Sequence, residues 1–159
     1  MRLGAVSLAG ADYRHTFWLG SMPTGGGTIV APMMRTTAAG DYRAKVQVTA
    51  AGVVQVSLSR VLNGSESVLA GPVTVPGVTY TAGLQLRVRA QAIGASPTTV
   101  RAKVWKSGAT EPGAWLVSAS NSAAGLQTSG AVGLWASTSA SANRASVIRV
   151  DNLQVLSAQ

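Results

Sequence analysis

The sequence contains no cysteine, one histidine and only five acidic residues among its 159 positions. Without cysteine the chain forms no disulfide and no thiolate metal site. A single histidine, His15, rules out a histidine-rich metal cluster. No apolar run approaches the roughly 18 residues that a transmembrane helix requires, so we predict no insertion into a membrane.

The acidic residues are too dispersed to form a catalytic motif along the chain. Cleavage of a glycosidic bond usually needs two carboxyl groups about 5–10 Å apart, and Asp12, Asp41, Glu66, Glu111 and Asp151 are widely separated. A Glu-x-Asp-x-Glu strand motif, a Gly-x-Ser-x-Gly elbow and a phosphate-binding glycine loop are all absent. We therefore predict no catalytic residues and no enzyme.

No metal or other cofactor is predicted either, with calcium as the alternative. Calcium accepts carboxylates mixed with amide and main-chain oxygens. Asp41 with loop carbonyls, or Asp151 with Asn152, has such oxygen ligands. The simpler interpretation is that Asp151 is a strand residue that bonds a nearby turn.

Basic residues exceed acidic ones by 13 to 5, which gives a formal charge of +8, and most of them are arginine. Such an excess attracts nucleic acid, anionic membrane surfaces or anionic polysaccharide, although arginine-rich coding in a high-GC genome produces the same balance. The basic residues are spread along the chain without a run, and no aromatic-basic RNA-binding motif is present. We predict no nucleic-acid partner.

Two-residue alternation of apolar and polar side chains runs almost from end to end, interrupted by glycine-rich turns and never by a helical period. Residues 42–49 and 84–91 show it best. Neighbouring side chains of a strand point to opposite faces, so this pattern buries one face of a sheet. We predict eleven strands, near residues 3–8, 12–20, 28–36, 41–49, 53–60, 67–75, 84–93, 98–106, 114–120, 131–138 and 145–156.

Many short strands without intervening helices are typical of an all-β, antiparallel two-sheet β-sandwich or jelly roll. We see no domain boundary, so residues 1–159 are predicted to form a single domain. The first eleven residues also resemble a short signal peptide, with Ala9-Gly10-Ala11 as a cleavage site. We interpret them as the first strand and keep the signal peptide as the alternative.

The strands at 84–93 and 98–106 predict a hairpin with one polar face, which is the best candidate for a binding surface. Like charges opposed across a hairpin are destabilising unless solvent, an acidic partner or an anionic ligand compensates. Arginine, glutamine and tryptophan side chains together are also what sugar binding uses. The alternative is a solvated outer face with no ligand. The candidate ligand-binding residues are Arg87, Arg89, Gln91, Arg101, Lys103 and Trp105, and Arg43, Lys45 and Gln47 are expected to extend the face if their strand joins the sheet.

The four tryptophans divide into two pairs. Trp18 follows Phe17, and Trp135 lies in an apolar strand, so both are predicted to belong to the core. Trp105 and Trp115 flank a turn around Glu111, and we expect their rings to pack over this turn.

Several short motifs are similar to those of the concanavalin A-like lectin/glucanase domain (LamG-like jelly roll), in the version found in actinobacterial surface proteins and in minor tail proteins of actinobacterial phages. The segment from Trp105 to Trp115 is the most specific of them. The motifs are residues 41–46, 58–60, 75–77, 86–89, 96–99, 103–105, 111–115, 130–134 and 150–153. The resemblance implies a jelly roll that lacks the first edge strand or strands of the family, with the missing strand supplied by a neighbour.

The resemblance also implies glycan recognition or a structural role in a virion, because this fold hosts binding modules, enzymes and scaffolds alike. We expect a non-catalytic structural or adhesion module on the exterior of a phage particle, at the tail or elsewhere. Its partners would be other virion proteins or copies of itself, and host cell-surface polysaccharide. A secreted carbohydrate-binding module is the alternative, and a glucanase-type hydrolase, dependent on Glu111 or Asp151, is the third reading.

Overall fold

The computed structural model describes all 159 residues and consists of eleven β-strands without a helix. Every predicted strand is present, with its ends displaced by a few residues at most. The chain has no helix of the length and apolarity needed to cross a membrane. The strands are β1 (Arg2–Leu8), β2 (Ala11–Leu19), β3 (Thr28–Thr36), β4 (Gly40–Val48), β5 (Val53–Leu62), β6 (Ser65–Thr79), β7 (Leu86–Ile93), β8 (Thr98–Lys106), β9 (Val117–Asn121), β10 (Gly130–Thr138) and β11 (Ile148–Ser157).

The strands form two antiparallel sheets packed face to face, which confirms the predicted β-sandwich of jelly-roll type. The six-stranded sheet has the order β1-β10-β3-β4-β5-β6, and the five-stranded sheet has the order β11-β2-β7-β8-β9. β4 therefore lies in the sheet opposite β7 and β8. The condition under which Arg43, Lys45 and Gln47 would extend the candidate face is therefore not met. Alternation shows which side of a strand is polar but not which sheet the strand joins.

The core lies between the sheets and is made by the apolar half of each alternating strand. Twenty-five buried side chains form one cluster, with Tyr13, Phe17 and Leu19 from β2 packed against Val30, Met34 and their neighbours. Burial of such apolar surface is the main stabilising contribution to a sandwich of this kind. His15 points to the same side of β2 as Tyr13 and Phe17 and is 2% exposed. Neither of its ring nitrogens has a hydrogen-bond partner.

One buried cation lies at an end of the sandwich and has no carboxylate partner. Arg35 on β3 is 2% exposed and has a left-handed backbone with φ of 49°. Its guanidinium donates to the carbonyl oxygens of Ala9, Gly94 and Leu126 and to the hydroxyl of Thr98. Its charge is therefore met entirely by neutral acceptors from connections that lie far apart in the sequence.

Two tryptophans predicted for the core lie on the outer faces instead. Trp18 lies on β2 opposite Arg149 of β11, on the side away from Phe17, and it is half-buried. Trp135 is half-buried on the six-stranded sheet, with the guanidinium carbon of Arg43 5.0 Å from its ring centroid. Both residues occupy the outward phase of their strand, and the prediction was wrong because apolar neighbours in the sequence do not show which way a side chain points.

Candidate functional site

The outer face of the five-stranded sheet carries all six residues that the sequence predicted as ligand-binding. The hairpin of β7 and β8 forms as expected, and its register places Arg87 opposite Trp105. The next two outward pairs along the hairpin are Arg89 with Lys103 and Gln91 with Arg101. β2 pairs with the other edge of β7 and adds Asp12, Arg14 and Thr16 to the same face.

The connection between β8 and β9 folds back over this face and brings a carboxylate to the basic side chains. Glu111 is 2.8 Å from a guanidinium nitrogen of Arg89, 2.8 Å from the Lys103 ammonium and 3.4 Å from Arg14. Lys103 also donates to the carbonyl oxygen of Pro112 at 2.6 Å. The like charges that face each other across the hairpin are thus compensated from within the chain.

Asp12 is the second carboxylate of the face and lies deeper. It accepts from Arg89 at 2.6 Å and from the Gln91 amide at 2.9 Å, and Gln91 in turn accepts from Arg101 at 2.9 Å. Hydrogen bonds therefore run without a break from Arg101 through Asp12 to Arg89 and on to Glu111. Together with Arg14 and Lys103 we call these residues the charge network.

Both carboxylates of the charge network are held in their ionised form. Burial raises the pKa of Asp12, but hydrogen bonds from Arg89 and Gln91 and nearby positive charges outweigh it, so the pKa lies below its ordinary value. Glu111 behaves in the same way, since Lys103 and Arg89 outweigh its burial and lower its pKa. Hydrogen bonding to Asp12 raises the pKa of Arg89, with burial opposing it.

Trp115 covers one side of the charge network. Its ring centroid lies 4.5 Å from the guanidinium carbon of Arg101, 4.9 Å from the Lys103 ammonium and 5.4 Å from Arg89. Cations over an indole face are attracted by the negative potential of the ring. Trp115 and Glu111 thus attach the same connection to the sheet, one through its ring and the other through its charge.

A cleft of about 280 Å³ opens beside the charge network, between β2, β7, β8 and β11. We call it the outer cleft. Arg87 is exposed there and makes no salt bridge and no side-chain hydrogen bond, since none of the chain's acidic groups reaches it. The lining residues are Arg14, His15, Thr16, Arg87, Val88, Trp105, Glu111, Asn152 and Gln154.

Trp105 forms a wall of the outer cleft and is 8% exposed. Its indole N–H has no hydrogen-bond partner. A buried donor without an acceptor costs about 1–3 kcal/mol, and its burial keeps this N–H out of contact with solvent. The predicted role of Trp105 as a stacking plate needs an open ring face, and the side chain is 8% exposed.

The six predicted residues are thus divided between two positions. Arg87 and Trp105 line the outer cleft, whereas Arg89, Gln91, Arg101 and Lys103 are bound to other residues of the chain in the charge network. Sequence reasoning missed the other seven lining residues, of which His15 and Val88 are buried on the core side of their strands. Arg14 and Thr16 could have been found from their outward phase on β2, but no local signal places Glu111, Asn152 and Gln154 there.

A second, apolar cleft of about 340 Å³ lies on the other side of Trp105. Its walls are Trp105, Trp115 and Leu116 on one side and Val75 and Val78 of β6 on the other. Trp105 therefore separates a polar cleft from an apolar one.

The residues considered for calcium have other partners. Arg43 donates to both carboxylate oxygens of Asp41, at 2.7 and 3.3 Å. The carboxylate of Asp151 accepts from the main-chain N–H of Asn152 at 2.7 Å. No group of three or more histidine, cysteine, aspartate or glutamate side chains is arranged to hold a metal ion.

Comparison with known proteins identifies the fold and nothing narrower. No protein-family model matches the chain, and a search of curated proteins finds no similar sequence. Among solved structures, the carbohydrate-binding module CBM66 from Bacillus subtilis superposes with a TM-score of 0.62 at 19% identity, over 96% of this chain and 78% of that one.

Two enzymes contain a similar sandwich as one part of a longer chain. A mutant of the GH43 protein BlXynB from Bacillus licheniformis gives a TM-score of 0.61 at 11% identity, over 94% of this chain but 28% of the enzyme. The xylan β-1,4-xylosidase from Bacillus halodurans gives 0.51 at 11% identity, over 81% of this chain and 24% of the enzyme. This chain therefore shares its two-sheet β-sandwich with a carbohydrate-binding module and with parts of two glycoside-active proteins.

Proposed function

We propose that this chain is a non-catalytic carbohydrate-binding module that holds polysaccharide in the outer cleft. The observation that carries the proposal is the lining of that cleft. It combines a free guanidinium on Arg87, the amides of Asn152 and Gln154 and an indole wall formed by Trp105. Sugars present hydroxyl groups in fixed directions, and several convergent donors and acceptors around an aromatic wall are suited to them.

The state of the two carboxylates supports a binding role over a hydrolytic one. A glycosidase needs one carboxyl group with a raised pKa to act as a general acid. Asp12 and Glu111 both have lowered pKa values, because cations hold them ionised. The fold shared with the carbohydrate-binding module from Bacillus subtilis also favours binding, although at 19% identity that likeness concerns the fold.

For its biological setting we keep the proposal drawn from the sequence resemblance, an adhesion or structural module on the exterior of a phage particle. A secreted carbohydrate-binding module is the alternative. Partners on the particle would be other virion proteins or copies of this chain, joined through sheet edges, which present unpaired backbone groups. Tail and capsid genes beside the coding sequence would support the virion setting, and an adjoining catalytic domain would contradict it.

A polysaccharide array compares the wild-type chain with Gln154→Ala, which removes an exposed amide from the cleft lining. We expect wild-type binding to at least one polysaccharide and a loss of about fivefold or more in the variant, the worth of one hydrogen bond of about 1 kcal/mol. Gln85→Ala, the same change at an exposed position outside the cleft lining, is the matched control. Equal affinity of Gln154→Ala and Gln85→Ala for every bound polysaccharide would contradict binding in the outer cleft.

A further inference from the structure

The outer cleft contains a cation that the protein itself does not neutralise. Arg87 lies between Thr16 of β2 and Trp105 of β8, and no carboxylate lies within salt-bridge distance of it. Glu111, which lines the same cleft, already contacts Arg14, Arg89 and Lys103. Its negative charge is shared among three cations, so little of it remains for Arg87.

Positive charge is in excess over the whole face around the cleft. Asp12 is bound by Arg89, and Asp151 accepts a hydrogen bond from its own neighbour in the chain. Fields of one sign in and around a cleft concentrate ligands of the opposite sign. The outward residues are the basic side chains of Arg14, Arg87, Arg89, Arg101, Lys103 and Arg149 against the carboxylates of Asp12, Glu111 and Asp151.

The neutral donors and acceptors of the cleft argue for a sugar that carries the negative charge. Asn152 and Gln154 supply amides and Thr16 supplies a hydroxyl, all in the lining that contains Arg87. Nucleic acid would instead need exposed rings on which bases stack. Trp105 is the one tryptophan that lines the outer cleft and is 8% exposed, so the cleft offers no row of exposed rings.

We propose that the ligand of the outer cleft is an anionic polysaccharide whose carboxylate or sulfate group pairs with Arg87. The guanidinium fork matches a carboxylate or sulfate with two parallel hydrogen bonds, which gives direction as well as attraction. This inference rests on the proposed carbohydrate binding and adds the charge of the ligand to it.

Two matched pairs of polymers test the charge. Polygalacturonate is compared with its methyl ester, which has the same backbone without the charge, and dextran sulfate is compared with dextran. Titration calorimetry at 0.15 M NaCl gives the affinities. We expect the charged member of at least one pair to bind tenfold or more tightly than the neutral member, since a hydrogen bond to a charged group is worth about 1.5–3 kcal/mol.

Two variants locate the charge effect. Arg87→Gln is expected to lose about tenfold in affinity for the charged polymer and to change little for the neutral one. Arg144→Gln removes the same charge from an exposed position outside the cleft and is expected to lose less than about twofold, because salt screens distant charges. Retained melting temperatures show that both variants are folded.

Each contrary outcome has its own meaning. Equal affinity for the charged and neutral members of both pairs overturns the inference and leaves carbohydrate binding intact. Equal losses in the two variants, or equally tight binding of a thymidine oligonucleotide, would reduce the effect to nonspecific attraction of polyanions and also overturn it. If none of the four polymers binds, the inference fails, and an array without any signal rejects carbohydrate binding as well.

Discussion

The two outer faces of the sandwich contain the same kinds of side chain but differ in what covers them. On the six-stranded sheet, Arg43 and Lys45 lie near the ring of Trp135, and their charges are met by Asp41 and Glu66. On the five-stranded sheet the comparable ring and carboxylate, Trp115 and Glu111, come from a connection that folds over the strands.

This difference explains why the cleft lies on the five-stranded sheet. Side chains on neighbouring strands of a sheet form a nearly flat surface, and the ion pairs of the six-stranded sheet are made within such a surface. The connection from β8 to β9 rises above the strands, so that Glu111 forms a wall opposite Asn152 and Gln154. Both sheets have a polar outer face, and on the five-stranded sheet a connection folds over that face and forms a cleft with it.

Acid should lower the free energy of unfolding through His15, a buried group of the five-stranded sheet that has no counterpart in the other sheet. Burial lowers the pKa of His15 to about 4, below the value of about 6.5 in an unfolded chain. The unfolded state then binds the proton first, so stability is complete above pH 6.5 and falls as the pH drops toward 4. We expect a loss of about 3 kcal/mol at pH 4, measured by urea denaturation across this range.

The control for the acid effect is His15→Phe, which keeps an aromatic ring between Tyr13 and Phe17. We expect its stability to be flat from pH 6.5 to about 4.5. Below that, protonation of Asp12, Glu111 and Glu66, whose pKa values are lowered in the fold, removes ion pairs from both faces. A wild-type slope that persists in the variant would show that another group is responsible.

Replacing one cation by a neutral residue should lower the free energy of unfolding more on the five-stranded sheet than on the six-stranded one. Arg89→Met removes the partner of both Asp12 and Glu111, and the Asp12 side chain is 9% exposed. We expect a loss of about 2 kcal/mol, less than for a fully buried pair because Arg89 is partly exposed to solvent. Lys45→Met breaks the pair with Glu66, which is more exposed, and should cost below about 1 kcal/mol.

The measurement for both variants is the free energy of unfolding in urea at pH 7. Equal costs would mean that the continuity of the charge network adds nothing to its individual pairs. Repeating the measurement in 0.5 M NaCl sharpens the contrast, since salt should reduce the effect of Lys45→Met more than that of Arg89→Met.

The smallest expected effects are those of the two tryptophans that cover the faces. Trp115→Leu and Trp135→Leu each remove cation–π contacts worth roughly 0.5–1 kcal/mol at partly exposed sites. Their effects on stability should therefore be similar. Binding should separate them, because Trp115 belongs to the connection that carries Glu111 into the outer cleft. We expect weaker polysaccharide binding for Trp115→Leu alone, and equal binding by both variants would contradict this.

The strands could be predicted from the sequence because the alternation of polar and apolar neighbours is enough to indicate a strand. The alternation over residues 84–91 was enough to place Arg87 and Trp105 on the same face of one hairpin, where the structure pairs them. The candidate site was only partly predictable, because its contacts join distant residues. Asp12 and Arg89 are 77 positions apart, and nothing local shows that Glu111 folds back onto them.

The errors have a physical cause as well. The alternation of residues 41–49 identified a strand with a basic face, but sheet membership depends on packing of the whole chain, and β4 lies in the other sheet. Trp18 and Trp135 are predicted for the core because one follows Phe17 and the other lies in an apolar strand. Adjacent residues of a strand point to opposite faces, so the burial of Phe17 places Trp18 outside. An indole on an outer face is tolerated when cations and alkyl stems shield it.

Arg35 bears on how the protein could be re-engineered. Its guanidinium bonds the connections that contain Ala9, Gly94 and Leu126, so an insertion in any one of them displaces an acceptor and disturbs the anchoring of the other two. Apart from main-chain hydrogen bonds at its two ends, the Glu111 connection is attached through side chains, which can be exchanged one at a time. Substitutions that are intended to change ligand specificity should therefore be made in the Glu111 connection. The residues around Arg35 should be left unaltered.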